Sequence, residues 1–375
     1  MVYLDYSATT PVNIDVLDTF NKVSTGFIGN PNSLHKLGVE SKNLIDAATK
    51  QIASILKIKE NEIIYTSGAS EANNTALKGV CLRYQKRGKH IITTHFEHSS
   101  IYGPISYLQT LGFEVDFVET DENGIVNVNN LKELLKEDTI LVTIGAVNSE
   151  IGILQPINEL AKVVKDNSNA FFHSDFTQQI GKKECNTENI DLISFSAHKF
   201  FGVKGIGVLV KKENINIEPI IHGGKSTTIY RSGTPATPLI ASISKALRLV
   251  NTDMDKHYSY VKEINERVRK ELSKYELVRI NSPEDALPYI LNISVLGVKP
   301  EVLLHALEED DVYISTQTAC SSKTDESKAV FALTKDSERS KSSVRISLSY
   351  KTTEEEINEF LKVFDKCYNR LTTLR

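Results

Sequence analysis

Cysteine is scarce in this 375-residue chain: there are four, at positions 81, 185, 320 and 367, and no two form a Cys-x-x-Cys pair. That spacing argues against a metal centre of the zinc type and against a disulfide framework. Long apolar runs are missing too, since none approaches the roughly 18 residues that span a bilayer. The start, Met1-Val2-Tyr3-Leu4-Asp5-Tyr6, lacks the basic stretch and apolar core of a signal peptide. A cytoplasmic protein with no membrane contact is therefore expected. Positive charge is not in excess, with a formal net charge of -4. Direct nucleic-acid binding through a basic face is thereby excluded, and Lys86, Arg87 and Lys89 read as solvated surface. Two phosphate-loop signatures are also absent. Gly202, Gly205 and Gly207 do not have Gly-x-Gly-x-x-Gly spacing, and a Walker loop ending at Gly224-Lys225-Ser226 would need its first glycine at Pro219. No repeat, low-complexity tract or Gly/Ser linker interrupts the chain, so its domains are expected to share a packed interface.

What is present is the composition of a globular protein, 40% hydrophobic and 25% charged, with length enough for two medium cores. Short apolar segments alternate with helical patterns, which predicts β-α units and a mainly parallel sheet. The candidate strands are 62–66, 90–94, 114–118, 140–146, 170–173, 192–195 and 207–210. Leu37, Leu44, Ile45, Ala48, Ile52, Ile55 and Leu56 recur at helical spacing. Residues 238–275 read as one long helix linking two domains, and a mixture of strands and helices comes after it. Near the C-terminus, Thr353 and Glu356 have the spacing of a capping box ahead of Ile357, Phe360, Leu361, Phe364, Tyr368 and Leu371. Cys367 joins that stripe, and Cys81 sits beside Ala76, Leu77 and Val80. Both read as small core residues.

The chemistry gathers at strand ends. Ser194-Phe195-Ser196-Ala197-His198-Lys199 puts a lysine at the exit of an apolar run, where Phe195, Phe200 and Phe201 would leave the amine poorly solvated and able to form a Schiff base. A structural lysine at a strand end is the plain alternative. Ser67-Gly68-Ala69-Ser70-Glu71 opens a helix directly after a strand, a geometry that attracts phosphate, although serine also caps helices routinely. Asp175 ends the run 170–174, where a carboxylate could pair with a protonated ring nitrogen. His98 comes just after the strand at 90–94, where it could supply an imidazole face and a catalytic proton relay; alone it would be a solvated loop histidine. Together, lysine, aspartate, histidine and a phosphate cradle point to pyridoxal 5'-phosphate, because such strand ends converge on one crevice in open α/β sheets.

On these and further segments, among them Gly29-Asn30-Pro31-Asn32-Ser33-Leu34-His35, Thr66-Ser67-Gly68-Ala69-Ser70-Glu71-Ala72-Asn73-Asn74, Ser196-Ala197-His198-Lys199, Arg231-Ser232-Gly233-Thr234 and Ala319-Cys320-Ser321-Ser322, the chain resembles the cysteine desulfurases of the fold-type I, class V aminotransferase superfamily. The similar segments span nearly the whole chain in family order. The resemblance implies a large cofactor domain over 16–250, with a seven-stranded, mainly parallel sheet between helices. It also implies a smaller α+β domain made of 1–15 with 251–375. It implies that Lys199 carries the cofactor, Asp175 holds the pyridinium nitrogen, His98 stacks on the ring and Gln178 bonds the phenolic oxygen. Ala69, through its backbone, and Ser70, Ser196 and His198 would bind the phosphate. Thr234 would reach the phosphate of the neighbouring subunit in a homodimer. Asn148 and Arg345 would hold the substrate carboxylate. In this reading L-cysteine becomes L-alanine, its sulfur is left as a persulfide on Cys320, and an acceptor protein, an iron-sulfur scaffold or a tRNA-thiolation enzyme, takes it.

Cys320 differs from the other cysteines in lying among polar residues without apolar periodicity, where a thiol would be exposed. Three departures from the family pattern stand out. Tyr6-Ser7 replaces a usual Asn-Ala, Ser70 stands where threonine is common, and Lys225-Ser226-Thr227-Thr228 replaces a glycine-rich acidic segment. A selenocysteine lyase or another class V enzyme is the alternative, and the loop thiol disfavours an aminotransferase.

Overall fold

The computed structural model describes residues 1–316 and 326–373. Its strands are β1 (Val2–Tyr3), β2 (Ile63–Thr66), β3 (His90–Thr93), β4 (Glu114–Phe117), β5 (Thr139–Thr143), β6 (Phe171–Asp175), β7 (Leu192–Ser196), β8 (Gly207–Lys211), β9 (Val278–Ile280), β10 (Ile290–Val295), β11 (Val312–Tyr313) and β12 (Ser343–Ser347). Strands β2 to β8 form one seven-stranded sheet in the order β2-β8-β7-β6-β5-β3-β4. Interior strands such as β5, β7 and β8 are buried along their whole length, which explains why they read as continuous apolar runs rather than alternating ones: helices cover both faces.

The strand directions decide where the reactive groups come together. The pairs β3–β4, β3–β5, β5–β6 and β6–β7 are parallel, while β8 runs antiparallel to both of its neighbours, β7 and β2. Two reversals restore direction, so β2 ends on the same edge of the sheet as β7. The exits of β2, β3, β5, β6 and β7 therefore face one crevice. Gly207 opens β8 at that edge, between Thr66 and Ser196. A Cβ there would come within 2.7 Å of the Gly68 backbone, so only glycine lets β8 pass beneath the turn after β2.

A second core gathers around β10 and β12 and the helices Met254–Leu272, Pro300–Glu308 and Glu354–Thr372, with Val2 and Leu4 from the N-terminus packed into it. The three strands β9, β10 and β12 are antiparallel, and β1 pairs in parallel with β11. The capping box at the last helix is formed as expected, Thr353 Oγ1 accepting from Glu356 N and Glu356 returning the bond to Thr353 N. Cys81 and Cys367 are buried in the two regions.

One expectation is corrected. Residues 238–275 are two helices, Thr237–Asn251 and Met254–Leu272. Thr252 is extended (φ -75°, ψ 131°) and Asp253 is left-handed at φ 58°. The first helix buries Ile240, Ile243 and Leu247 in the core of the large sheet; the second buries Val261, Ile264 and Val268 in the other core. One straight helix cannot point its apolar stripe at both, so the chain turns between them. Leu37 lies in the helix Lys36–Leu56, as its spacing predicts, with its side chain exposed.

Candidate active site

The crevice at the sheet edge is a cleft of about 550 Å³. Lys199 ends a short 3-10 turn that continues β7. Its Nζ donates to Ser7 O at 2.6 Å and Ala8 O at 2.8 Å, so the amine is half-buried and held by two backbone carbonyls rather than by its aromatic neighbours alone. The Tyr6-Ser7 departure is thus accommodated, because the contact uses the backbone of residue 7.

Asp175 closes β6 with both carboxylate oxygens occupied, Oδ1 accepting from Thr177 N at 2.9 Å and Oδ2 from Asn73 Nδ2 at 2.8 Å. Asn73 also donates to Ser100 Oγ at 2.8 Å, and Ser100 Oγ lies 2.8 Å from His98 Nδ1. This chain ties the carboxylate to the imidazole. His98 is the N-cap of the helix Ser99–Thr110, Nδ1 accepting from Ser100 N, which fixes the ring plane. Burial pushes its pKa down; Asp175 partly opposes this and Lys199 adds to it. Asn73 was missed in the sequence. It lies one helical turn beyond Ala69, and its full burial, which only the structure shows, marks it out.

The opposite end of the cleft suits an anion. The helix Ala69–Tyr84 is capped by Gly68 with no side-chain acceptor, leaving first-turn N–H groups available where Ala69 and Ser70 line the cleft. Ser196, His198 and Lys204 line the same end. His198 Nδ1 pairs with Thr9 Oγ1 at 3.1 Å, and burial pushes the ring's pKa down to about 4, so the imidazole is neutral at pH 7. With a carboxylate at one end, an uncapped helix terminus with hydroxyls and a lysine at the other, and Lys199 between them, the donor set fits pyridoxal 5'-phosphate.

Arg345 enters from β12, buried to 2% exposure. Its two terminal nitrogens donate to Ser149 O at 2.9 Å and to Asp5 Oδ1 at 2.8 Å, and Nε is buried without a partner among the described residues. Asn148 is turned to other work: Nδ2 donates to Phe96 O, and Oδ1 accepts from Glu150 N and Ile151 N. Its side chain braces the turn after β5. Gln178 is buried and donates from Nε2 to Ser7 O at 3.0 Å. Thr234 is exposed and does not line this cleft. Cys320 lies outside the described residues. Among the described residues no three His, Cys, Asp or Glu side chains converge to hold a metal ion, and no helix is long and apolar enough to cross a membrane.

Glu97, beside His98, is a second residue that sequence reading passed over. It accepts from Thr94 Oγ1 at 2.7 Å and from Gly145 N with both oxygens. Burial nevertheless pushes its carboxyl from the ordinary 4.5 up to about 7. The unfolded chain gives up this proton near pH 4.5 and the folded chain near 7, so the contribution is full below the lower value and is lost as pH rises to the higher one. Glu97→Gln should therefore flatten the fall in stability between about pH 5 and 7, as read by urea unfolding. An identical pH dependence in both proteins would contradict this.

The Aminotransferase class-V family model matches residues 2–360. A "NifS/IcsS protein homolog" of Lactobacillus delbrueckii subsp. bulgaricus is 40% identical over 380 residues, covering 100% of this chain and 99% of that protein. "Cysteine desulfurase IscS" of Dictyoglomus turgidum is 37% identical and covers 100% and 96%. Among solved structures, a "NIFS-LIKE PROTEIN" superposes with a TM-score of 0.92 at 33% identity, covering 99% of both chains.

Proposed function

We propose that this chain, which belongs to the class V aminotransferase family, is a pyridoxal 5'-phosphate-dependent cysteine desulfurase that converts L-cysteine to L-alanine and passes the sulfur to an acceptor protein. The observation that carries the reading is the convergence of Lys199, Asp175, His98, Arg345 and an uncapped helix terminus on one cleft. In it Lys199 is the attachment point, Asp175 faces the ring nitrogen, His98 covers the ring and Gln178 meets the phenolic oxygen. Ala69, Ser70, Ser196 and His198 receive the phosphate.

When bound, pyridoxal phosphate draws electrons away from the substrate Cα, which is the chemistry that no side chain supplies. The chain's own residues do the rest. Arg345 receives the substrate carboxylate through its planar guanidinium, with Asp5 fixing its plane. Asn148 supports the wall of that site. Lys199 Nζ takes the Cα proton and returns one to the carbon fragment. The Cys320 thiolate attacks the sulfur of L-cysteine and the carbon–sulfur bond breaks, leaving a Cys320 persulfide. Its electron pair stays with the carbon fragment, which gains a proton and leaves as L-alanine.

The three described cysteines are poor candidates for that sulfur. Burial raises the thiol pKa of Cys81 and Cys367, and that of Cys185 to about 12, so none offers a thiolate at neutral pH.

The same reading includes a homodimer in the cytoplasm, with Thr234 serving the cleft of a second copy. An exposed apolar stretch supports the dimer: Ile28, Leu34, Leu37 and Val39 lie in the open, with Ile229 also exposed a few residues before Thr234. It also divides the chain at 16–250 and 1–15 with 251–375. The acceptor is an iron-sulfur scaffold or a tRNA-thiolation enzyme.

Mass spectrometry after brief exposure of the purified protein to L-cysteine tests the proposal. A one-sulfur adduct on Cys320 together with free alanine is expected. Bound cofactor with neither product would overturn the desulfurase reading.

A further inference from the structure

Lys182 lies beneath the cleft and takes no part in the proposed reaction. It stands in the turn after β6 and is 7% exposed. Nζ donates to Gln178 Oε1 at 2.8 Å, Gln178 Nε2 donates to Ser7 O at 3.0 Å, and Ser7 O also accepts from Lys199 Nζ at 2.6 Å. A hydrogen-bonded chain thus joins two lysines through one amide and one carbonyl. The Lys182 amine donates to the oxygen end of the amide, so Lys182 sets the Nε2 end of Gln178 to look away from it.

We propose that Lys182 is a positioning residue that locks the Gln178 amide with its N–H toward Lys199, so that Gln178 meets the phenolic oxygen of pyridoxal phosphate as a donor. The proposal rests on the cofactor reading. Its geometry is costly in a way that a structural filler would avoid. Burial first, then the charges of Lys199 and Arg345, push the Lys182 amine down to about 7. The nearest aromatic relief is the Tyr289 ring, 5.8 Å from Nζ, and Tyr6 and Tyr350 line the same narrow space. Methionine, of similar length and apolar, would fill that space without the desolvation cost.

Two effects act in the same direction on a proton at the Lys199 nitrogen. A donor to the phenolic oxygen stabilises negative charge there, and Lys182, a cation below about pH 7, disfavours a second cation nearby. The test is a pH titration of the visible absorbance of the wild-type protein and of Lys182→Met, Lys182→Gln and Lys182→Arg, each loaded with pyridoxal phosphate and without substrate. Lys182→Met should raise the midpoint by about one unit, roughly a tenfold change in the proton equilibrium. Lys182→Gln, which keeps a donor for Oε1 and loses the charge, should shift it less, and Lys182→Arg should stay near wild type. Should the methionine protein not fold, the glutamine variant still reads the smaller part of the shift, the part that comes from the lost charge. A midpoint unchanged in both the methionine and glutamine variants, with the visible band intact, overturns the role of Lys182. A wild-type protein that shows no visible band when loaded would instead overturn the cofactor reading, and this proposal with it.

Discussion

Lys199→Ala should lower L-alanine formation from L-cysteine by about a thousandfold, the middle of the range for losing a positioned acid–base group, with covalent attachment of the cofactor lost as well. The folded chain should survive. The amine is half-buried, and the carbonyls of Ser7 and Ala8 that it serves line the cleft, where water can replace it at a modest cost. Loss of the visible band characteristic of a lysine-linked cofactor, in a protein whose thermal unfolding stays cooperative, would accompany the loss of rate. Activity within about tenfold of wild type would mean that another group takes the Cα proton. The other candidates at the cleft are placed for other work: His98 Nδ1 caps its helix, and His198, paired with Thr9, and Lys204 stand at the phosphate end.

The second large effect separates the two halves of the reaction. Cys320→Ala should cut alanine release by at least about a hundredfold, as expected when a covalent nucleophile is removed, and should abolish the sulfur adduct altogether. Cofactor loading and the change in visible absorbance on adding L-cysteine should persist, because the residues assigned to both are Lys199, Asp175 and Arg345. The pair of variants is therefore diagnostic. Lys199→Ala stops the reaction at its start, whereas Cys320→Ala stops only cleavage of the carbon–sulfur bond and the later transfer of sulfur. An undiminished rate in Cys320→Ala would reassign the sulfur acceptor.

Much of the fold was legible because it is written locally. The seven strands of the large sheet lie within a few residues of the segments that announced them; the interior strands are continuously apolar because both of their faces are covered, whereas β4 at the sheet edge is not. The break at Thr252 and Asp253 was not legible. It depends on two cores lying in different directions, and nothing in the periodicity of 238–275 records that. At the site, Lys199, Asp175 and His98 could be proposed from their positions after strands, while Asn73, Glu97 and Lys182 could not. Each looks unremarkable beside its sequence neighbours, and Asn73 acquires meaning only when Asp175, 102 residues away, accepts its hydrogen bond. Asn148 shows the converse. It was expected to face a substrate carboxylate, and its amide is engaged with the backbone of its own turn and of Phe96.

By itself the sequence determined the inventory: which elements form, from apolar period and caps, and which reactive groups stand at their ends. Tertiary structure alone decided which of those groups meet. The reversal of β8 brings the phosphate end at Ser67–Ser70 beside Lys199, and the N-terminal segment packed against β12 sets Asp5 against Arg345 across 340 residues. Propensity acts over a few residues, whereas these encounters are set by strand order and core packing, which depend on the whole chain at once.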